Sequence, residues 1–232
     1  MSVDPQLFIQ SVVEAQLSAA RDKQHQGPGP LLALSRDYGA GGMEVAKRLS
    51  ERLAVGLYDK YLLDAVAKSA KVDPELMAEL DERMRSYRDA WIHSLLTGQS
   101  VFKTAYRHHL VNVLLGLTKT GGVIVGRGAH VVLANRQIFR LRLIGSEERC
   151  AERVSETEGL SYDEALKKVR EVNHQRAKFV WDMFKRRLSE PASFDLVVNT
   201  DHLHDWDKVS DLVVHAMECA GFPLPEQARK KA

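Results

Sequence analysis

Leu31-Leu32-Ala33-Leu34-Ser35-Arg36-Asp37-Tyr38-Gly39-Ala40-Gly41-Gly42 is the stretch from which the fold can be read. Its first five residues form a short apolar run of the kind a strand buried on both faces requires. A glycine-rich turn follows, and beyond it Val45, Ala46, Leu49 and Leu53 recur at helical spacing on one face. Strand, glycine turn and helix in that order make the first half of a parallel βαβ unit. Such a turn aims several backbone N–H groups and the positive end of the helix dipole at one point, where an anion can sit. Glycine suits the turn because a side chain would block the close approach of a phosphate, and because the turn needs positive φ.

Upstream, Gln26-Gly27-Pro28-Gly29-Pro30 interrupts any regular structure. Before it, Phe8, Val12, Ala15 and Ala19, widened by Ile9 and Val13, predict an amphipathic helix over 6–22. Residues 1–30 thus read as a helix and linker. That helix packs on the domain, joins two copies as a homodimer, or is a loosely held tail, and the sequence leaves these open.

Downstream, a second strand is expected to end near Leu57-Tyr58-Asp59, and 60–120 reads as mainly helical, in segments 61–70, 75–97 and 101–118. Asp73-Pro74-Glu75 is a good helix start. So much helix exceeds the dozen or so residues a simple crossover needs, which marks an insertion. Further strands are expected at Val123–Val125, Phe139–Ile144 and Phe194–Val198. The charged segment 147–190 reads as helical, opened by Ser146 and carrying a capping box at Ser161-Tyr162-Asp163-Glu164. A closing helix places Trp206, Val209, Leu212, Val213, Ala216 and Met217 on one face, and 221–232 is left as a tail. Strands alternating with helices predict an α/β domain over 31–220, a parallel sheet with helices on both faces in three layers.

The bulk numbers narrow the function. With 33 Lys and Arg against 31 Asp and Glu the net charge is +2, so no global field points to nucleic acid or an anionic membrane. An anion site must therefore be local. The N-terminus has neither the basic start nor the apolar core of a signal peptide, and no apolar run reaches the ~18 residues that span a bilayer. Cytoplasmic residence is the expectation. Cys150 and Cys219 lie far apart, without metal-ligand spacing, and read as free thiols. The nine histidines form no metal constellation, so no metal site is expected in the chain itself.

Ser35–Glu44 carries the chemistry. A full nucleotide phosphate loop reads G-x-x-x-x-G-K-[ST]. With Gly41 on its second glycine, Arg36 falls on the first, Gly42 on the lysine and Met43 on the magnesium-holding hydroxyl, with Glu44 next. The lysine normally neutralises charge on the β- and γ-phosphates. Arg36 and Lys47 lie close enough in sequence to replace it.

Four segments taken together, Ser35–Gly42, Tyr58-Asp59-Lys60, Gly126-Arg127-Gly128-Ala129 and Asp195–Thr200, resemble the cytidylate kinase-like family in content and order. The resemblance spans roughly 31–218. It implies a P-loop NTPase fold, ATP with Mg²⁺ as donor and a nucleoside monophosphate of the CMP or dCMP type as acceptor. Members commonly carry Gly-Gly where true cytidylate kinases carry lysine. The resemblance assigns Ser35, Arg36, Tyr38, Gly39, Ala40, Gly41, Gly42, Met43 and Glu44 to the donor phosphates, and Asp59, Lys60 and Arg127 to the acceptor. Arg127 matches the arginine of a Gly-Arg-Asp segment, with Gly128 in place of the aspartate. Residues 147–190 resemble the lid of these kinases, where Asn173-His174-Gln175-Arg176 matches an Asp-x-x-Arg spacing and Arg170 lies on the same helix. Arg127, Arg170 and Arg176 are the implied catalytic arginines. A solvated helix is the plainer reading of that segment, and a helix cap the plainer reading of Asp59.

Three functions remain: a nucleoside monophosphate phosphotransferase, a nucleotide- or phosphate-binding module that signals or assembles without catalysis, and a P-loop kinase for another small acceptor. The missing lysine, Glu44 and Asn173 favour the second.

Overall fold

The computed structural model describes residues 29–61, 63 and 101–229. The expected helix over 6–22, that over 75–97 with its Asp73 start, and most of that over 61–70 lie outside the described residues.

The elements, in chain order, are β1 (Leu31–Arg36), α1 (Gly42–Leu53), β2 (Leu57–Tyr58), α2 (Val101–Gly116), β3 (Gly122–Val125) and α3 (Ala129–Val132). Then come β4 (Phe139–Ile144), α4 (Glu147–Glu158), α5 (Tyr162–Phe184), β5 (Leu196–Asn199), α6 (Trp206–Cys219) and α7 (Glu226–Arg229). The strands form one sheet in the order β2-β3-β1-β4-β5, and every neighbouring pair is parallel.

Side chains alternate across each strand, and this sorts the core into two layers. Leu32 and Leu34 of β1, with Leu141 and Leu143 of β4, pack on the face covered by Val45 and Leu49 of α1 and Val213 and Met217 of α6. Leu31, Ala33 and Ile124 point the other way, onto Leu110 and Leu114 of α2 and Phe184 of α5. Each such leucine removed from water contributes about 1.5–3 kcal/mol, so both faces must be apolar and both are. This is the expected three-layer architecture.

The chain runs β1, β2, β3 on one side of β1 and then crosses to β4 on the other. Strand order therefore reverses at β1, which opens a crevice at the carboxyl ends of β1, β3 and β4. The glycine turn lies there.

The segment 147–190 is helical on both sides of its internal capping box, as expected, while its end and the outward face of Leu212 depart from the expectation. It stops at Gly159, in left-handed conformation at φ 67°, and restarts at Ser161 with the capping box in place. It ends at Lys185, again left-handed at φ 53°, so 185–190 is not helical. On α6, Leu212 is 46% exposed while Val209, Val213 and Met217 are buried. At about 100° per residue Leu212 stands a quarter-turn from Val213, on the side away from the sheet.

Candidate phosphate-binding site

β1 delivers its last residue, Arg36, to the crevice, and the Asp37 N–H donates to the Leu143 carbonyl at 2.9 Å, holding the turn against β4. Gly39 and Gly41 have φ of 83° and 72°, values that L side chains rarely adopt. The reverse of the turn is tightly packed. A β-carbon at Gly39 would lie 2.5 Å from the Cys150 carbonyl oxygen, and one at Gly41 2.6 Å from Cζ2 of Trp206. Gly41 caps α1 without a side-chain bond, and Val45 is the first residue whose N–H is bonded, to the Gly41 carbonyl at 3.1 Å. The N–H groups of Gly42, Met43 and Glu44 are the unsatisfied donors every helix start possesses. They sit at the edge of a cleft of about 990 Å³.

The rest of the cleft is rich in guanidinium. Arg36, Arg127 and Arg176 all line it. Arg127 follows β3 with φ 53°, and its guanidinium lies 4.5 Å from the centre of the Phe179 ring on α5. Arg176, also on α5, donates from Nη1 to the Arg36 carbonyl at 3.0 Å and lies over the Tyr38 ring. Burial, then the charges of Arg176 and Arg127, pull Arg36 down to about 9 despite Asp59. Burial also lowers Arg176. The guanidinium charges gathered here repel one another, the condition an incoming polyanion relieves. Arg142 differs. It is buried and committed, donating to Asp37 at 2.6 Å and to Ser35 Oγ at 3.3 Å.

The sequence pattern of the cytidylate kinase-like family matches residues 31–202, a span that includes all five strands and the cleft arginines. The chain belongs to the cytidylate kinase-like family. No curated protein matches it. Among solved structures, an uncharacterized protein from Eubacterium ventriosum shares 22% identity, covering 82% of this chain and 98% of that one at a TM-score of 0.62. The shikimate kinase of Bacteroides thetaiotaomicron shares 18% over 83% of this chain and 99% of its own, at 0.43. That of Acinetobacter baumannii, solved with shikimate, shares 15% over 84% and 96%, at 0.44. The likeness to the Eubacterium ventriosum protein is one of fold.

Within this cytidylate kinase-like cleft the structure gathers Ser35, Arg36, Tyr38, Gly39, Gly41, Gly42, Met43, Glu44, Asp59, Lys60, Arg127 and Arg176 along one wall or another. Ala40 is wholly buried and turned from the cleft. Arg170 stands apart as well. It is exposed and paired with Glu147 of α4 at 2.7 Å, because one helical turn carries the α5 face from the glycine turn to its neighbour helix. Lys47 is exposed on α1 and does not border the cleft. Asn173 points at the turn itself, where its Oδ1 accepts the Tyr38 N–H at 2.8 Å. The Tyr38 hydroxyl donates to Glu158, so α4 and α5 both grip the turn.

Sequence reading missed Arg153, Trp206, Phe179 and His130, all of which line the cleft. Arg153 donates to the Gly39 carbonyl and to Thr200, and stacks over Trp206. Trp206 reads in the sequence only as a member of an apolar stripe, and Arg142, bonded to Asp37 of the turn, shows only as the second of two arginines alternating with apolar residues in β4, where a doubly covered strand should be apolar throughout.

His130 lies against Phe194 with ring centres 4.8 Å apart, and its buried Nε2 has no hydrogen-bond partner among the described residues. Burial, then Arg142 and Arg140, push its pKa down to about 4. The folded chain thus binds that proton more weakly than the unfolded one, so stability falls as pH drops from the ordinary histidine value towards about 4. Denaturant titrations at neutral pH and at about pH 4.5 should show the wild type losing about 2 kcal/mol more than His130→Asn.

Among the described residues no group of three or more His, Cys, Asp or Glu side chains could hold a metal. Met43 presents a thioether where a phosphate loop presents its hydroxyl, and a hard cation such as magnesium prefers oxygen. The oxygen donors that line the cleft instead include those of Ser35, Asp37, Glu44 and Asp59. Among the described residues no helix is long and apolar enough to cross a membrane.

Proposed function

We propose that the chain is a nucleotide-dependent phosphotransferase that moves the terminal phosphoryl group of ATP to a nucleoside monophosphate of the CMP or dCMP type. The observation that carries the reading is the convergence on one cleft of two kinds of anion binder. One is the set of unsatisfied amides at the head of α1; the other is the guanidiniums of Arg36, Arg127 and Arg176. Because β2 and β3 are neighbours, Asp59 and Lys60 after β2 come to the same edge as Arg127 after β3. That edge suits the acceptor, while the amides suit the donor. A phosphate oxygen of the acceptor attacks the γ-phosphorus, the bond from that phosphorus to the bridging oxygen breaks, and the nucleoside diphosphate leaves with the electron pair. Such a reaction asks the protein mainly to position two anions and neutralise their charge. Arg176 reaches over the turn from α5, bonded to the Arg36 carbonyl and lying over the Tyr38 ring.

Coupled assays with ATP and each nucleoside monophosphate test the proposal, and folded protein that turns over none of them would sink it. Arg127→Ala should raise the acceptor KM by about 10- to 100-fold, the scale of a lost charge-assisted pair, with an unchanged thermal unfolding transition. Comparable loss of folding would make Arg127 a structural residue.

One observation favours the second reading, a phosphate-binding module without catalysis. Asn173, which stands where the resemblance expects an aspartate, spends its oxygen on the Tyr38 N–H. That reading predicts stabilisation by ATP with no phosphoryl transfer in the same assay.

A further inference from the structure

The structure assigns to Arg36 the task that lysine performs in an ordinary phosphate loop, and to Gly42 the task of leaving Arg36 its path. This deepens the phosphotransferase reading and rests on it.

The argument begins with an exclusion. Arg36 ends β1, and its stem runs across Gly42. A β-carbon at Gly42 would lie 2.8 Å from Arg36 Cβ, 3.3 Å from its Cδ and closer still to its Cγ. Real β-carbons do not come so near, so a side chain at position 42, lysine included, cannot coexist with Arg36 in this course. Gly42 is the position that lysine takes in the full motif. The absence of the ammonium and the presence of the guanidinium are therefore one structural fact.

The far end of Arg36 is cleared in the same way. A β-carbon at Gly126 would stand 2.7 Å from Nη1. Two glycines, from the head of α1 and the end of β3, thus flank a single side chain. Arg36 also borders a smaller hollow of about 560 Å³, shared with Arg142, Arg186 and Arg187, so its direction must be decided. Gly126 lines only the larger cleft, and Nη1 lies against it; the guanidinium therefore reaches towards the cleft that holds the α1 amides.

Arg36 is also the uncommitted one. Arg140 is paired with Asp195, Arg142 with Asp37, Arg170 with Glu147 and Arg48 with Asp207. Among the described residues the Arg36 guanidinium has neither an ion pair nor a hydrogen bond; only its backbone carbonyl is used, by Arg176. A planar fork that keeps its charge when crowded by other cations suits this position better than an ammonium, which loses its proton readily in such company. The depressed value of about 9 still leaves Arg36 charged at neutral pH.

The test exchanges the two positions. Wild type, Arg36→Gln, Gly42→Lys and the double variant Arg36→Gly/Gly42→Lys, which also removes the crowding β-carbon at position 36, are compared for affinity towards inorganic tripolyphosphate and ATP, and for transfer. Arg36→Gln keeps length without charge and should bind tripolyphosphate about 10- to 100-fold more weakly. Gly42→Lys should also bind poorly, because the two side chains contend for one space. The double variant should regain most of the lost affinity. Wild-type affinity in Arg36→Gln overturns the assignment, as does a double variant that folds yet binds no better than Arg36→Gln. The reading beneath it fails separately. If tripolyphosphate binding depends on Arg36 but no protein transfers phosphoryl, the phosphotransferase falls and Arg36 stands. If Arg36→Gln binds and transfers like wild type, the reverse holds.

Discussion

On the phosphotransferase proposal, Arg176→Ala should lower phosphoryl-transfer turnover by about 10³-fold, the lower end of what an arginine acting on the transferring group contributes. Its guanidinium uses Nη1 on the Arg36 carbonyl, and the residue lines both the cleft and the smaller hollow. A charge already in place stabilises the transferring group without reorganising during the reaction. The deficit should therefore appear in kcat, with KM changed less than tenfold. Arg176→Lys restores charge without the planar fork and should recover only part of the rate. Arg170→Ala supplies the contrast. Its exposed pair with Glu147 lies off the cleft, and both turnover and stability should stay close to wild type. Equal losses at Arg170 and Arg176 would mean that α5 matters as a charged helix and not through one residue.

Gly41→Ala should damage the turn severely, at about 2–4 kcal/mol of stability together with loss of tripolyphosphate binding. Two costs combine. At φ 72° a β-carbon is strained whatever surrounds it, and here it would press on the six-membered ring of Trp206, 2.6 Å from Cζ2. The ring cannot retreat freely, because Arg153 stacks over it. Adding Trp206→Leu to Gly41→Ala should return the steric part and leave the backbone part, so the double variant should be more stable than the sum of the single effects allows. Denaturant unfolding of the four proteins measures the coupling. Strict additivity would show that the ring does not press on the turn.

What the sequence disclosed depended on how locally each feature is encoded. Phe139–Ile144 is a strand with the very bounds its composition suggests, and the Ser161 capping box forms as its residues dictate, because both arise from neighbours in the chain. The glycine turn was legible for the same reason. The walls of the cleft were not. Asn173 meets Tyr38 across 135 positions, and Arg176 meets Arg36 across 140. Helical periodicity places Arg170, Asn173 and Arg176 on related sides of α5, but it cannot say where α4 stops covering that side. Trp206 read as the first member of a buried stripe, and it does pack on the core, yet its ring also walls the turn. The direction of Arg36 needed the neighbouring glycines in three dimensions.

The crowding of cations at the mouth of the sheet has a consequence for handling the molecule. A fold that keeps like charges in close company sacrifices some cohesion until a polyanion enters and is correspondingly tightened when one does. A ligand at a hundred times its dissociation constant adds about 2.7 kcal/mol to the folded state. Its melting temperature should therefore act as a gauge of the phosphates in its buffer, and two preparations of identical chain should differ in apparent robustness by what they were dialysed against.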